Sequence, residues 1–246
     1  MLKTIKANSL NEIEKLLAKK VTKLFLFFAV LIPLLTKLLV NNLFITEWMA
    51  LPAENINFIL LDLFVTILLP LFVFIAATDL FTGDSERGAL FQVRPISRIE
   101  LFLSKLIAIS ILALFVLLLD WLSVIISSAV FDKTFHFSII PISLGAFSIS
   151  WFPIIVITAF AILIALLFHS SVLAISTMIV LYLIMMFIPF VLPNSLYLLP
   201  SSYLDWYMHW IGEVSTRWVF QTVTYLCSSF GLFFSLGYYM FNKKEA

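Results

Sequence analysis

Six long apolar runs leave this chain few ways to fold. They extend from about Leu24 to Val40, Asn57 to Ala77, Leu101 to Val130, Ile139 to Phe168, Val172 to Leu192 and Trp218 to Met240. A helix needs about 20 residues to cross the hydrocarbon of a bilayer. No water is present there to satisfy backbone groups, so a spanning segment must be a helix or part of a closed barrel. These continuous apolar runs read as helices. Composition agrees, with 63% hydrophobic and 12% charged residues and a mean hydropathy of +1.12. A soluble domain is about a quarter charged. The reading is an all-α integral membrane protein with six transmembrane helices. Residues 24–241 form the membrane domain, between an N-terminal segment (1–23) and a short tail (242–246). No internal repeat or linker marks a second domain. The third and fourth runs hold about 30 residues each, or roughly 45 Å of helix, so they are expected to tilt or project.

The N-terminal segment has no small-residue cleavage site, so it is not expected to be a cleaved signal. Leu10, Ile13, Leu16, Leu17 and Val21 recur at spacings of three and four, with Lys15, Lys19 and Lys20 on the other face. This predicts an amphipathic helix over 9–21, lying in the headgroup plane. Ser9 and Glu12 have the spacing of a capping box at its start. Lys and Arg set the orientation. With the N-terminus in the cytoplasm, the inner side holds Lys3, Lys6, Lys15, Lys19, Lys20, Lys23, Arg87, Arg94, Arg98, Lys105, Lys243 and Lys244. The outer side holds only Lys37, Lys133 and Arg217. Both termini are therefore expected in the cytoplasm. The net charge of +1 gives no reason to expect a nucleic-acid partner, and the single Cys227 excludes an intrachain disulfide.

The largest charged loop joins the second and third runs and spans 79–100. Ser97 and Glu100 form a second capping-box pattern directly before an apolar run. Pro95 prevents an earlier helix from continuing into it. Residues 84–93 leave room for a short helix with an acidic first turn. Its apolar patch is Leu90, Phe91 and Val93.

The stretch Asp84-Ser85-Glu86-Arg87-Gly88-Ala89-Leu90, followed by Arg94-Pro95-Ile96-Ser97-Arg98, Glu100 and Lys105, resembles the cytoplasmic loop of ABC-2-type transporter permeases. The family's pattern is an acidic-basic pair, a Gly, a small residue and Leu, then Pro-Ile-Ser-Arg and a Lys in the next helix. Ala89 stands where Thr is common. The layout of the whole chain is also similar to that family. The resemblance implies a coupling helix between helices 2 and 3 that fits a groove on a separate ABC ATPase. Asp84, Glu86, Arg87, Leu90 and Phe91 would form the ATPase-coupling site. It further implies two ATPase copies, a second permease chain (a homodimer), and a bacterial cytoplasmic membrane. Among such exporters are those of antimicrobial or phenol-soluble-modulin peptides, of small-molecule drugs and of Na⁺; a hydrophobic or amphipathic substrate is expected, with a peptide favoured. No Gly-x-x-x-x-Gly-Lys-Ser/Thr phosphate cradle occurs. No cofactor is therefore expected on this chain, with ATP and Mg held by the partner.

Three charges fall within or beside the apolar runs: Lys37, Asp62 and Asp120. A charge at the bilayer centre costs about 2.5–3.5 kcal/mol on insertion scales. Lys37 snorkelling outward with Asp62 capping the second run is one reading; an ion pair of Lys37 with Asp62 or Asp120 is the other. The stretch 193–217 carries Tyr197, Tyr203, Trp206, Tyr207 and Trp210, with Trp218 just beyond it. It is read as an outer loop that dips into the leaflet as a pair of short helices, or as an aromatic anchor belt. His136, His169 and His209 lack metal-ligand spacing, so no metal site is expected. An intramembrane enzyme would need polar groups at matched depth; His169 beside Ser170 and Ser171 has no nearby acid, so no catalytic residue is assigned. A non-transporting immunity or scaffold protein is the remaining alternative.

Overall fold

The computed structural model describes residues 2–42, 53–82, 97–132, 136–192, 198–210 and 215–244. Helix α1 covers Leu2–Ala18 and α2 covers Lys20–Asn42, with a bend at Lys19 between them. The second span is built from α3 (Ala53–Leu63), one π-helical turn (Phe64–Leu68) and α4 (Leu69–Phe81). Then come α5 (Arg98–Phe131), α6 (Ile139–Leu167), α7 (Ser171–Val191) and α8 (Thr216–Lys244). Two 3-10 turns, Pro200–Tyr203 and Trp206–Trp210, lie between α7 and α8. Among the described residues, six helices are long and apolar enough to cross a membrane, and no strand occurs. The protein is an all-α integral membrane protein.

Helix α5 starts where the capping pattern places it. Ser97 is extended, and its N–H donates to Glu100 Oε2 at 3.3 Å. Helix α5 has 34 residues and α6 has 29, so α5 reaches about 51 Å and overshoots the hydrocarbon. The N-terminal helix differs from expectation. It begins at Leu2 rather than Ser9, so Ser9 lies mid-helix and its Oγ donates to Ile5 O at 2.8 Å. A serine inside a helix bonds back in this way when the chain before it is also helical. The buried residues of α1 are Asn8, Ser9, Glu12 and Leu16, while Leu10 is exposed. Its polar face is thus packed against protein and part of its apolar surface is left for lipid.

Helices α5 and α6 form the centre, and α2, α7 and α8 present most of their surface outward. Helices α1 and α2 pack on α5, α8 packs on α6, α4 lies against α5 and α6, and α7 lies against α4 and α6. Phe64, Phe72, Phe74, Phe102 and Phe147 fill the core between them. The end of α4 and the start of α5 flank residues 83–96; this side is called the loop end, and the opposite side the far end.

Candidate functional site

The coupling residues read in the sequence, Asp84, Glu86, Arg87, Leu90 and Phe91, lie outside the described residues. The structure shows how the chain on either side of them is held. On the entering side, Thr82 Oγ1 donates to Ala165 O at 3.0 Å. Asp79 pairs with Lys19 at 2.7 Å, which links α4 to the bend between α1 and α2. On the leaving side, Arg98 Nη1 donates to Asn242 O at 2.8 Å and to Asn242 Oδ1 at 3.1 Å. Lys105 joins the two sides: its Nζ donates to Leu80 O and stands 5.3 Å from the Phe81 ring centroid. Ser104 Oγ donates to Glu100 O at 2.6 Å and, more weakly, to Ile5 O of α1 at 3.4 Å.

Beneath these bonds lies an aromatic cluster. Phe102 meets Phe81, Phe234, Tyr238 and Phe241 at centroid distances of 5.7, 5.3, 5.8 and 5.6 Å. Phe81 meets Phe241 edge-on at 5.9 Å. Gly237 of α8 faces the Phe102 ring, and a Cβ there would stand in ordinary contact with Phe102 Cζ at 3.4 Å. Edge-to-face rings of this kind contribute beyond their buried area. The ends of the 83–96 loop are therefore fastened to α1, α6 and α8 as well as to each other.

The far end is fastened by a different device. A proline has no N–H, so the carbonyl four residues before it loses its helical donor. Three such carbonyls are taken by side chains from elsewhere in the chain. Pro70 releases Thr66 O, which accepts from Tyr182 Oη of α7. Pro153 releases Ile149 O, which accepts from Trp206 Nε1 at 3.0 Å. Pro189 releases Met185 O, which accepts from Ser201 Oγ at 3.1 Å. The first of these sits in the π turn, a feature that often marks functional positions in helices. Of the stretch expected to dip into the leaflet as short helices, described residues 198–210 contain two 3-10 turns. The stretch nonetheless reaches Ile149, ten residues and so about 15 Å inside α6. Tyr207 is fully buried and its Oη donates to Phe58 O at 3.3 Å. Tyr203 stacks on Tyr225 with centroids 4.5 Å apart. Partial burial, reinforced by the Asp62 carboxylate, pushes the Asp205 carboxyl above its ordinary value, against the opposing pull of its own backbone hydrogen bond and His209.

The charges inside the apolar runs go to different partners than the sequence implied. Lys37 Nζ pairs with Asp132 Oδ2 at 2.7 Å, with the two side chains 1% and 15% exposed. Asp132 follows α5 directly, in the interval between the third and fourth apolar runs. Asp62 accepts from Thr66 Oγ1 at 3.3 Å. Asp120 is fully buried and neither carboxyl oxygen has a hydrogen-bond partner among the described residues. Sequence reasoning missed Asp132 and the proline-released carbonyls. The latter were marked by Pro70, Pro153 and Pro189, but their donors lie far away in sequence. Among the described residues no group of three metal-ligating side chains occurs.

A six-span helical bundle with fastened loops at both ends is the framework of a multi-pass transport subunit. Residues 3–246 match the model of the ABC-2 family transporter proteins, and the chain belongs to that family. It is a membrane subunit of an ABC transporter. No individually curated protein matches the chain.

Proposed function

We propose that this chain is the permease of an ATP-driven exporter whose ATP and Mg are bound and turned over on two separate ATPase subunits. Two copies of the chain form the pathway as a homodimer. The loop end, with both termini, faces the cytoplasm of a bacterium, and the 83–96 loop carries the coupling helix. Glu86, Arg87, Leu90 and Phe91 contact the ATPase, and Asp84 lies in the acidic first turn of that helix. The substrate is a hydrophobic or amphipathic peptide.

The observation that carries this reading is the fastening of both ends of the 83–96 loop. Thr82 is bonded to α6, Arg98 to α8, and Lys105 bridges the end of α4 and α5. A push on that loop therefore reaches four spans at once. Coupling needs such an element, biased by an event at a distant site. The orientation is supported by twelve of the fifteen Lys and Arg residues falling on that side. The aromatic, weakly charged core supports an apolar substrate.

Co-purification of the chain with a co-expressed ATPase from the neighbouring gene tests the proposal. A stable complex is expected, and combined alanine substitution of Glu86, Arg87, Leu90 and Phe91 should release the ATPase while the six-span chain stays folded. Failure of any ATPase to associate, with transport surviving the substitutions, would overturn it.

A further inference from the structure

Asp120 stands twenty-two residues after Arg98 on α5, about 33 Å from that end and about 17 Å from Phe131. That places it within the membrane. It is fully buried, and neither carboxyl oxygen accepts or shares a hydrogen bond among the described residues. Its neighbours one turn away are Val116, Leu117, Ser123 and Val124, all buried. Ser123 is the polar one, and its Oγ is already given to Val30 O of α2 at 2.8 Å.

Among the described residues no counter-charge serves it. Lys37 of α2 is held by Asp132, about 18 Å further along α5, and Lys105 is held by Leu80 O. Asp62 of α3 accepts from Thr66, and Asp79 of α4 pairs with Lys19. On α1, Glu12 pairs with Lys15. Tyr182 of α7 gives its hydroxyl to Thr66 O. Helix α6 contains no charged residue. Arg217 and Lys243 sit at the two ends of α8. Among the described residues Asp120 has neither an ion pair nor another electrostatic partner.

A carboxylate ion buried without a partner is strongly disfavoured, and such a group takes a proton instead. A neutral acid here avoids the cost of the charge but still forgoes the hydrogen bonds that water would give its carboxyl. An apolar residue would fill the site with less penalty, so the carboxyl contributes in another arrangement of the spans, one that lets water reach it. We propose that Asp120 is a proton-binding site of the bundle: its carboxyl holds a proton in the conformation described and exchanges it with water when the spans around α5 move apart.

The proton itself can be observed, without the ATPase or a substrate. Infrared spectra of the full-length chain in lipid nanodiscs at neutral pH should contain the C=O stretch of a protonated carboxylic acid. The band should be lost in Asp120→Asn. Transfer to heavy water should shift it gradually, at the rate at which the bundle opens. In case Asp120→Asn fails to fold, Asp120→Glu should keep the band at a displaced frequency. Identical spectra for the wild-type chain and a folded Asp120 variant would overturn the proposal. So would a band that never shifts in heavy water, which describes an inert neutral acid. Loss of the band on adding sodium ions would also overturn it, in favour of a metal-cation site.

Discussion

At the loop end the acceptors Leu80, Ala165 and Asn242 lie in the last turns of α4, α6 and α8. Their carbonyls lack helical donors because the helices stop. At the far end Thr66, Ile149 and Met185 lie inside helices, and their carbonyls lack donors because a proline follows four residues later. The donors differ as well. Two of the three at the loop end are cationic, Lys105 and Arg98, and each also meets the negative pole of a helix C-terminus. At the far end all three are neutral: Tyr182, Trp206 and Ser201. A cation at membrane depth costs about 2.5–3.5 kcal/mol, and a tyrosine, tryptophan or serine donor avoids that. The same backbone problem is thus solved with charge where water is near and without it where lipid is.

Lys37–Asp132 is the exception at the far end, and removing it is the largest perturbation expected. Lys37→Met leaves Asp132, only 15% exposed, without its cation. Breaking one partner of a buried pair destabilises by about 3 kcal/mol. Thermal denaturation in detergent should show a large drop, and adding Asp132→Leu should recover most of it. A tolerated Lys37→Met would mean that water already shares Asp132, and the contrast between the ends would lose its sharpest case.

Lys105→Met should rank second, at about 2 kcal/mol, because it removes a charge-assisted bond and leaves Leu80 O buried. The methionine stem still fills the volume beside Phe81, so the loss is assigned to the interactions of the ammonium, the bond to Leu80 O and the contact with the Phe81 ring among them. The same denaturation series measures it.

Trp206→Phe should lose about 1 kcal/mol, since the ring packing survives and only the bond to Ile149 O goes. The decisive measurement is the double-mutant cycle with Pro153→Ala. Alanine restores an N–H that Ile149 O can accept within α6, so Trp206→Phe should then have almost no effect. Equal losses in both backgrounds would show that the proline does not create the vacancy that Trp206 fills. Ser201→Ala with Pro189→Ala repeats the test on α7.

Span boundaries were legible because hydropathy acts locally; Ile139–Leu167, for example, was read to within a residue of its end. The Ser97–Glu100 cap was legible for the same reason, since both partners lie within one turn. The start of α1 was not. Ser9 has the spacing of a cap, but packing of Asn8, Ser9 and Glu12 against the bundle rewards a helix that begins earlier. The partner of Lys37 was not legible either. Asp132, Asp62 and Asp120 are chemically equivalent choices, and only the parallel run of α2 and α5 brings Lys37 level with Asp132. The prolines announced which carbonyls would be vacant. Their donors come from 116, 57 and 16 residues away, and tertiary packing alone selects them.

The smallest effect tests whether the far end is as free of charge in function as its hydrogen bonds are. Asp205 sits between the two 3-10 turns, and partial burial first, then the Asp62 carboxylate, raise its affinity for a proton. A carboxyl whose folded value is raised favours the native state most below the ordinary aspartate value. That contribution is lost as pH rises through the raised value. The melting temperature of Asp205→Asn minus that of the wild type should therefore grow between mildly acidic and neutral pH, because the amide never ionises. His209 opposes the shift, so His209→Gln should enlarge the pH-dependent gap and Asp62→Asn should shrink it. A gap that stays constant with pH would place the Asp205 carboxylate in free contact with water, and the far end would then carry an ionised group beside its neutral fastenings.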